Sequence, residues 1–242
     1  MPKIRLDQYL VNNGLAENLT QAHSFCLQGL VHDINKQLTK AGLMVDQARS
    51  DIKVKMLKNH QYVARSALKL KAAIQAYNIN IQDKICADLG CSTGGFTEVL
   101  LEYGASKIYA VDVAYGEFAS KLRNNAKIVL LERTNVRFLD HNLIPEMLDV
   151  LVCDVSFIGL QLALPPALKL LKNTATLLAL VKPQFEVSKE QVSQGGIVRD
   201  HGLQQEVCNN ISNWLTHDQN FQVIGVMPSP ILGTKGNQEY IL

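Results

Sequence analysis

The chain has 242 residues, of which 47% are hydrophobic and 19% are charged, and its formal net charge is +2 at pH 7. This composition is typical of a globular protein, and the length allows one large domain or two small ones. Apolar runs such as residues 177–181 are far shorter than the ~18 residues that cross a bilayer, and no signal-peptide pattern is visible. We therefore expect a cytoplasmic protein that does not insert into membranes.

The cysteine and histidine residues exclude several kinds of site. The five cysteines are scattered, and no Cys-x-x-Cys pair is present. The six histidines also lack the spacing of metal ligands. The sequence therefore predicts free thiols and no metal site.

Residues 1–59 have the pattern of a small α+β module. Apolar residues between 4 and 11 predict a first helix, which Asn13 and Gly14 end. A second helix is predicted over 21–28, and Gly29 ends it. Short extended pieces follow near Val31 and Val45, and alternation over 52–56 predicts a strand. We place the domain boundary in the polar segment that follows, which gives domains 1–59 and 60–242.

Strands and helices alternate through the rest of the chain. An amphipathic helix is predicted over 65–77, and further helices over 96–103, 118–124, 160–172 and 205–215. Apolar strands are predicted at 84–87, 108–113, 128–131, 148–154 and 176–181, and a closing pair at 222–226 and 238–242. This order predicts an α/β fold with a mostly parallel sheet that helices cover on both faces, and with an antiparallel strand near the C-terminus.

A glycine-rich turn joins the strand at 84–87 to the helix at 96–103. It contains Asp88, Gly90, Gly94 and Gly95, and the next strand carries Asp112 at its carboxyl end. Strand, glycine turn and helix begin a nucleotide-binding βαβ unit, in which such an acid accepts hydrogen bonds from a ribose diol. The spacing is neither G-x-G-x-x-G nor a Walker A loop, and it is typical of S-adenosylmethionine sites. A plain βα turn without a ligand is the alternative.

The N-terminal module resembles the S4 RNA-binding domain. The resemblance lies in Arg5-Leu-Asp7-x-x-Leu10, Gly14-Leu-Ala16, Gly29-Leu-Val31 and Ile34-Asn35. Leu19-Thr20 stands where S4 domains usually carry Ser-Arg, and that arginine is a usual phosphate contact. The resemblance implies an RNA-binding fold, while the departure leaves open whether this module binds RNA.

From Lys69 to Leu242 the chain resembles the FtsJ-like branch of S-adenosylmethionine-dependent methyltransferases. Together with the S4-like module it is similar to the TlyA/hemolysin A family of ribosomal RNA 2′-O-methyltransferases. The motifs that carry this resemblance are Asp88-Leu-Gly-Cys-Ser-Thr-Gly-Gly-Phe96, Tyr109-Ala-Val-Asp-Val113, Asp154-Val-Ser-Phe157, Val181-Lys-Pro-Gln-Phe-Glu186, Gly195-Gly196 and Lys235-Gly-Asn-x-Glu239. The family implies a Rossmann-like class I methyltransferase sheet and a ribosomal RNA or ribosomal-subunit partner, with cytidine as the target.

The resemblance also implies the site residues. The family's catalytic Lys-Asp-Lys-Glu set falls on Lys69, Asp154, Lys182 and Glu239. The residues expected to contact the cofactor are Asp88, Gly90, Ser92, Gly94, Gly95, Phe96, Asp112, Asn135 and Asp154. Phe96 has the alternative role of a core residue. The two glycines that usually precede the first lysine are replaced by Ser66 and Ala67.

Elementary chemistry supports a basic role for a lysine. A ribose hydroxyl has a pKa far above 7, so a base must help to remove its proton. A lysine can serve if burial and a neighbouring cation lower its pKa. We expect Lys182 to be the base and Lys69 to tune it, although the charge of Asp154 opposes the lowering.

Two other functions remain open from the sequence. One is an RNA-binding or ribosome-assembly protein that keeps the fold without the activity. The other is a membrane-lytic protein, which only the hemolysin name of the family suggests. The oligomeric state and the modified nucleotide are not encoded in any pattern of the sequence.

Overall fold

The computed structural model describes residues 2–27, 29–34, 36–54 and 62–242. The chain divides into two units, residues 1–64 and residues 65–242. The predicted domain boundary between residues 59 and 60 falls in the segment 55–61, which lies outside the described residues.

The N-terminal unit combines two short helices with two antiparallel strand pairs. Its elements are β1 (Lys3–Arg5), α1 (Leu6–Asn12), α2 (Leu19–Leu27), β2 (Val31–His32), β3 (Met44–Asp46) and β4 (Lys53–Val54). β1 pairs with β3, and β2 pairs with β4. The helices and strands bury one apolar cluster that contains Leu6, Leu10, Ala22, Cys26, Val31 and Val45. The α+β organisation predicted for this segment is therefore present.

The position of Ile4 differs from that prediction. The sequence pattern placed it in the first helix, whereas it lies in β1 opposite Val45. Ile4 therefore belongs to a period-two strand pattern, and the helical pattern starts only at Leu6. Of the strand predicted over 52–56, residues 53–54 form β4, and residues 55 and 56 lie outside the described residues.

The C-terminal unit alternates strands and helices in the predicted order. Its helices are α3 (Ala67–Tyr77), α4 (Gly95–Glu102), α5 (Ser120–Arg123), α6 (Leu160–Ala163), α7 (Pro165–Leu168), α8 (Pro183–Glu186) and α9 (His201–His217). Its strands are β5 (Ile85–Leu89), β6 (Lys107–Val111), β7 (Ile128–Leu131), β8 (Leu148–Cys153), β9 (Leu171–Val181), β10 (Met227–Pro228) and β11 (Tyr240–Ile241).

These strands form one sheet in the order β10-β11-β9-β8-β5-β6-β7. The five strands from β9 to β7 run parallel, and β11 and β10 join antiparallel beside β9. The prediction of a mostly parallel sheet with an antiparallel strand near the C-terminus is confirmed. The central strands are almost entirely buried, as expected for a parallel sheet that is covered on both faces.

Two predicted elements differ from the structure. The helix predicted over 160–172 is instead two short helices, α6 and α7, followed by β9, which begins at Leu171. Pro165 and Pro166 explain the break, because proline cannot donate the backbone hydrogen bond of a helix interior. The first closing strand was predicted over 222–226, but the ladder pairs Met227 with Ile241, so the residues before Met227 lie beyond it.

All five cysteines are buried and unpaired, as the sequence predicted. Burial raises the pKa of the Cys86 and Cys153 thiols to about 12 in each case, which keeps both protonated and unreactive. Within the described parts of the chain, no helix is both long and apolar enough to cross a bilayer.

Candidate active site

The parallel strands bring the predicted site residues to one edge of the sheet. Leu89 lies opposite Val111 on one side and Cys153 on the other, so β5, β6 and β8 end level with one another. Gly90, Asp112 and Asp154 directly follow these three strands. Ligand sites of open α/β sheets lie at this edge, beyond the carboxyl ends of the strands.

Two further side chains reach the same edge from distant parts of the sequence. Lys69 lies near the start of α3. Glu239 directly precedes β11, whose first residue, Tyr240, pairs with Val181 at the end of β9. This register brings Glu239 beside the carboxyl end of β9, where Lys182 follows.

Lys69, Asp154, Lys182 and Glu239 form what we call the charged cluster. Lys69 Nζ lies 2.5 Å from Glu239 Oε2 and 3.8 Å from Asp154 Oδ2. Lys182 Nζ lies 2.6 Å from Asp154 Oδ1. Asp154 therefore stands between the two ammonium groups, and the predicted catalytic set is brought together in space.

The charged cluster is shielded from solvent. Lys69 and Lys182 are each 7% exposed, and Glu239 is 4% exposed. Two ammonium and two carboxylate groups balance, so no uncompensated charge is buried. Because a buried ion pair costs much of its Coulomb energy in desolvation, the cluster is weak evidence for stability and fits a functional role better.

The pKa of Lys182 moves in the direction opposite to the predicted one. Burial lowers it, as the sequence led us to expect, but the Asp154 and Glu239 carboxylates more than compensate, and the net pKa is raised. The expectation of a lowered pKa for Lys182 is therefore wrong. The two carboxylates outweigh the effect of desolvation on this pKa.

Ser156 is a member of the site that sequence reasoning missed. Lys182 Nζ donates a hydrogen bond to Ser156 Oγ at 2.9 Å and a longer one to the Asp154 carbonyl at 3.4 Å. These acceptors fix the direction of the amine. The signal was present in the Asp154-Val-Ser-Phe157 motif, but nothing in the spacing showed that the serine would face the lysine.

Phe157 is held in an unusual conformation next to this serine. Its φ is +65°, in the left-handed region that non-glycine residues rarely adopt, and its side chain is 88% exposed. The ring centroid lies 5.1 Å from that of Phe185, and Lys182 Nζ lies 6.0 Å from the Phe185 ring. The structure therefore presents an aromatic face to solvent beside the charged cluster.

The glycine turn packs tightly against the same cluster. Gly90 has φ +79°, and a Cβ there would lie 2.9 Å from the backbone oxygen of Asp154. Gly94 has φ +97°, and a Cβ there would lie 2.6 Å from the Leu122 side chain. Gly90 therefore has no room for a side chain, and Gly94 has room only if the Leu122 and Phe118 side chains both move. Gly95 is the first residue of α4.

Asp112 ties the turn to the end of β6. Its Oδ2 accepts a hydrogen bond from Ser92 N at 2.8 Å, and its Oδ1 accepts one from Ala114 N at 2.8 Å. Both carboxylate oxygens are thus oriented by backbone groups, and the side chain is only half-buried. An anchored, accessible carboxylate of this kind suits a ribose diol.

Asn135 lies half-buried beyond β7 and before a short 3₁₀ helix at Val136–Phe138. Its Oδ1 accepts a hydrogen bond from Arg137 N at 3.0 Å. This bond gives Asn135 a capping role of its own, and its assignment to the cofactor stays a prediction.

Two predicted cofactor contacts lie inside the protein. Phe96 is buried in the first turn of α4, where a core residue would lie. Asp88 is fully buried, and Thr97 Oγ1 donates to its Oδ2 at 2.6 Å. Burial raises the pKa of Asp88 to about 7, although the Thr97 hydrogen bond opposes this. The other oxygen, Oδ1, has no hydrogen-bond partner among the described residues.

Comparison with known proteins identifies several relatives. Residues 62–242 match the family model of FtsJ-like methyltransferases. Hemolysin A of Brachyspira hyodysenteriae is 36% identical over 98% of this chain and 98% of that protein. TlyA of Mycobacterium tuberculosis, named a 16S/23S rRNA (cytidine-2′-O)-methyltransferase, is 38% identical over 99% of this chain and 89% of that protein.

Solved structures give the same picture. A candidate hemolysin from Streptococcus thermophilus superposes with a TM-score of 0.75 and is 37% identical. The match covers 100% of this chain and 87% of the hemolysin chain. A second, from Lactococcus lactis, has a TM-score of 0.72 and 38% identity, over 76% of this chain and 88% of that one.

Proposed function

The chain belongs to the FtsJ-like methyltransferase family, and we propose that it transfers a methyl group from S-adenosylmethionine to a ribose 2′-hydroxyl of ribosomal RNA, on a cytidine. The observation that carries this proposal is the charged cluster, because it places two lysines and two carboxylates beside the glycine turn. The name of the TlyA relative, a 16S/23S rRNA (cytidine-2′-O)-methyltransferase, supports the choice of RNA and nucleotide.

The residues around the glycine turn fit S-adenosylmethionine. The glycine at position 90 lets the turn pack on the backbone of Asp154, which brings the turn beside the charged cluster. Asp112 offers a fixed carboxylate to a ribose diol. The unpartnered Oδ1 of Asp88 suits a cationic or hydrogen-bond-donating group, such as an amino acid portion supplies.

Lys182 would take the proton from the ribose hydroxyl. When bound, S-adenosylmethionine supplies a methyl group on a positively charged sulfur, which is already a good leaving group, so the protein must chiefly activate and align the hydroxyl. Ser156 and Asp154 fix the direction of the Lys182 amine. General-base help is worth roughly 10²–10⁴-fold in rate.

The raised pKa of Lys182 sets a requirement on this mechanism. Asp154 already lies between two ammonium groups, 2.6 Å from Lys182 and 3.8 Å from Lys69. A further cation beside Asp154 offsets the charge of the same carboxylate. The Lys182 ammonium group is then less stabilised, and the pKa of Lys182 falls. A cationic group bound beside Asp154 would thereby favour proton removal by Lys182.

Two surfaces suit an RNA substrate. Phe157 offers an exposed ring next to Lys182, and base stacking on aromatic rings is a common mode of binding unpaired nucleotides. The N-terminal unit, which we interpret as an S4-like RNA-binding domain, exposes Lys3, Arg5, Lys36, Lys40 and Lys53. Basic side chains of this kind bind phosphates. A ribosomal substrate also implies a cytoplasmic location.

The test is tritiated methyl transfer from S-adenosylmethionine to purified 30S and 50S subunits, followed by mapping of the modified nucleotide. We expect incorporation at a cytidine 2′-oxygen. Lys182→Met should lower the rate by roughly 10²–10⁴-fold with the cofactor Kd unchanged. Lys172→Met is the matched control, because Lys172 lies in β9, the strand that Lys182 directly follows, and it pairs with Asp149 at the surface. A wild-type rate in Lys182→Met with intact cofactor binding contradicts the assignment of the base.

The same experiment separates the alternative functions. Cofactor binding by the wild-type chain without transfer to either subunit supports an RNA-binding or assembly protein. The full ion pairing of Lys182 is the observation that favours this alternative. Leakage of vesicles caused by the pure protein supports the lytic function that the hemolysin names suggest.

A further inference from the structure

Two sequence motifs outside the charged cluster are joined by one buried side chain. Asn237, from the Lys235-Gly-Asn-x-Glu239 motif, is 3% exposed. Its Oδ1 accepts a hydrogen bond from Val198 N at 3.0 Å, and its Nδ2 donates to the carbonyl of Gly196 at 2.8 Å. The Gly195-Gly196 loop is therefore fastened to the segment that carries Glu239.

A second buried side-chain amide, on α9, forms a hydrogen bond with the same loop. Gln204 is also 3% exposed, and its Nε2 donates to the Val198 carbonyl at 2.7 Å. Its Oε1 accepts a hydrogen bond from the Tyr240 hydroxyl at 2.7 Å. The peptide groups of Val198 are thus held between two side-chain amides, and the amides attach on either side of Glu239, at Asn237 and at Tyr240.

The β-sheet does little to fix the position of Glu239, which is where this hydrogen-bond network lies. β11 contains only Tyr240 and Ile241, so Glu239 lies just outside the regular strand. Its carbonyl accepts one backbone hydrogen bond, from Ser229 N at 2.8 Å. The direction of the Glu239 side chain must therefore be set by the loop residues around it.

Asn237 also places the backbone that packs on the Glu239 carboxylate. Its carbonyl accepts a hydrogen bond from Gly233 N at 2.9 Å. A Cβ on Gly233 would lie 2.5 Å from Glu239 Oε1, so this glycine packs directly against the carboxylate. On the other side, Glu239 Oε2 contacts Lys69 Nζ.

We propose that Asn237 and Gln204 are positioning residues that hold the Glu239 carboxylate against Lys69. This inference rests on the proposed function, in which the charged cluster transfers the methyl group. Without this support, Glu239 withdraws from Lys69, and Lys69 then competes with Lys182 for Asp154. The network therefore acts on the rate of transfer and not on cofactor binding.

The first test is a double-mutant cycle on rRNA methylation. Asn237→Ala should lower kcat about tenfold, because a displacement of ~1 Å in a site costs 10–100-fold, with KM for RNA and the cofactor Kd unchanged. In a Glu239→Gln background the same change should cost less than about threefold, since residues that act as a unit are not additive. A full tenfold loss in that background overturns the inference.

A second pair of variants tests the part of the network that α9 contributes. Gln204→Leu should also lower kcat, whereas Gln205→Leu, which alters the neighbouring exposed amide that bonds to Asn209, should leave it unchanged. If Asn237→Ala does not fold, Asn237→Asp replaces it, because it keeps the acceptor for Val198 N and loses the donor to Gly196. Equal losses in Gln204→Leu and Gln205→Leu contradict a specific role.

Crystal structures of the variants test the positioning role independently of activity. The distance between Lys69 Nζ and Glu239 Oε2 should exceed 4 Å, roughly the limit of an ion pair, in Asn237→Ala. A distance unchanged from the wild type overturns the inference even if the chain methylates no RNA. Wild-type inactivity combined with a lengthened distance overturns the proposed function and keeps the positioning role.

Discussion

The two halves of the site are held in place by different parts of the chain. Around the glycine turn, backbone groups make most of the contacts that hold the site in place. Gly90 packs on the backbone of Asp154, and Ser92 N and Ala114 N orient Asp112. In the charged cluster, side chains hold one another. Lys69 and Glu239 meet across 170 residues of sequence, and Lys182 meets Asp154 across 28.

This difference predicts how each half fails. A site held by backbone is broken by added volume and is indifferent to distant charges. A site held by ion pairs is most sensitive to the loss of one charge, because the remaining partner is then buried without compensation.

Gly90→Ala should have the largest effect. The left-handed φ costs an alanine about 1–2 kcal/mol, and the collision with the Asp154 backbone adds to this, so we expect a loss of about 3 kcal/mol or more in unfolding free energy. Cofactor affinity should fall with it. Urea denaturation and calorimetry measure the two quantities.

Gly116→Ala is the control for this change. Gly116 has nearly the same φ, +80°, but a Cβ there has nothing within 4 Å. It should therefore show only the conformational part of the loss. Equal destabilisation in the two variants would mean that packing on Asp154 is unimportant.

The same contrast explains how much the sequence could predict. The turn is a local feature: glycines, an adjacent apolar strand and an acid one strand later all lie within residues 84–112, so pattern reasoning located them. The pairing of Lys69 with Glu239 depends on the register of β11 against β9, which no local pattern encodes. Only the family resemblance suggested it.

The errors have the same origin. The pKa of Lys182 depends on how many carboxylates face it in the folded protein, and the sequence indicated burial but not the balance of charges. The exposed conformation of Phe157 and the contact of Ser156 with Lys182 likewise arise from a loop whose path the periodicity does not describe. Pro165 and Pro166, in contrast, were visible signals whose helix-breaking effect was underestimated.

Asp88 lies beneath the turn, no cation among the residues that the structure describes pairs with it, and it should make stability depend on pH. Its folded pKa of about 7 lies above the unfolded value of about 3.9. Between these values the folded state binds more protons, so its contribution to stability falls as pH rises, by up to about 1.4 kcal/mol per pH unit, and is constant above pH 7.

Asp88→Asn should remove this dependence. An amide can still accept the Thr97 hydrogen bond, and it carries no charge to desolvate. The difference in unfolding free energy between variant and wild type, measured by urea denaturation from pH 5 to pH 7, should grow in favour of the variant. A constant difference over this range would show that Asp88 titrates normally.

Glu239→Gln tests the charged cluster itself. The amide keeps the shape but not the charge that holds Lys69, and we expect kcat to fall about 30-fold, within the range that misplacement of a catalytic group costs. The Glu239 charge also raises the pKa of Lys182, so its loss lowers that pKa. The acidic limb of the pH–rate profile should therefore move to lower pH.

Glu102→Gln is the matched control, because Glu102 pairs with Lys71 at 3.0 Å near the surface. Such pairs contribute little, so the rate should stay within about twofold of the wild type. A limb that moves to higher pH in Glu239→Gln would contradict the assigned electrostatics.

Asp112→Asn should have the smallest effect, confined to the turn half of the site. Both carboxylate oxygens accept backbone N–H groups, so an amide must turn one of its own donors toward Ser92 N or Ala114 N. We expect the cofactor Kd to rise about tenfold, which corresponds to about 1.4 kcal/mol, while kcat at saturating cofactor stays unchanged. Asp140→Asn, which alters an exposed loop carboxylate that accepts the Asn142 and Leu143 amides, should change neither quantity. If Asp112→Asn lowered kcat and left Kd intact, the turn and the charged cluster would have to be treated as one coupled site, because a residue without contact to the lysines would then control the chemical step.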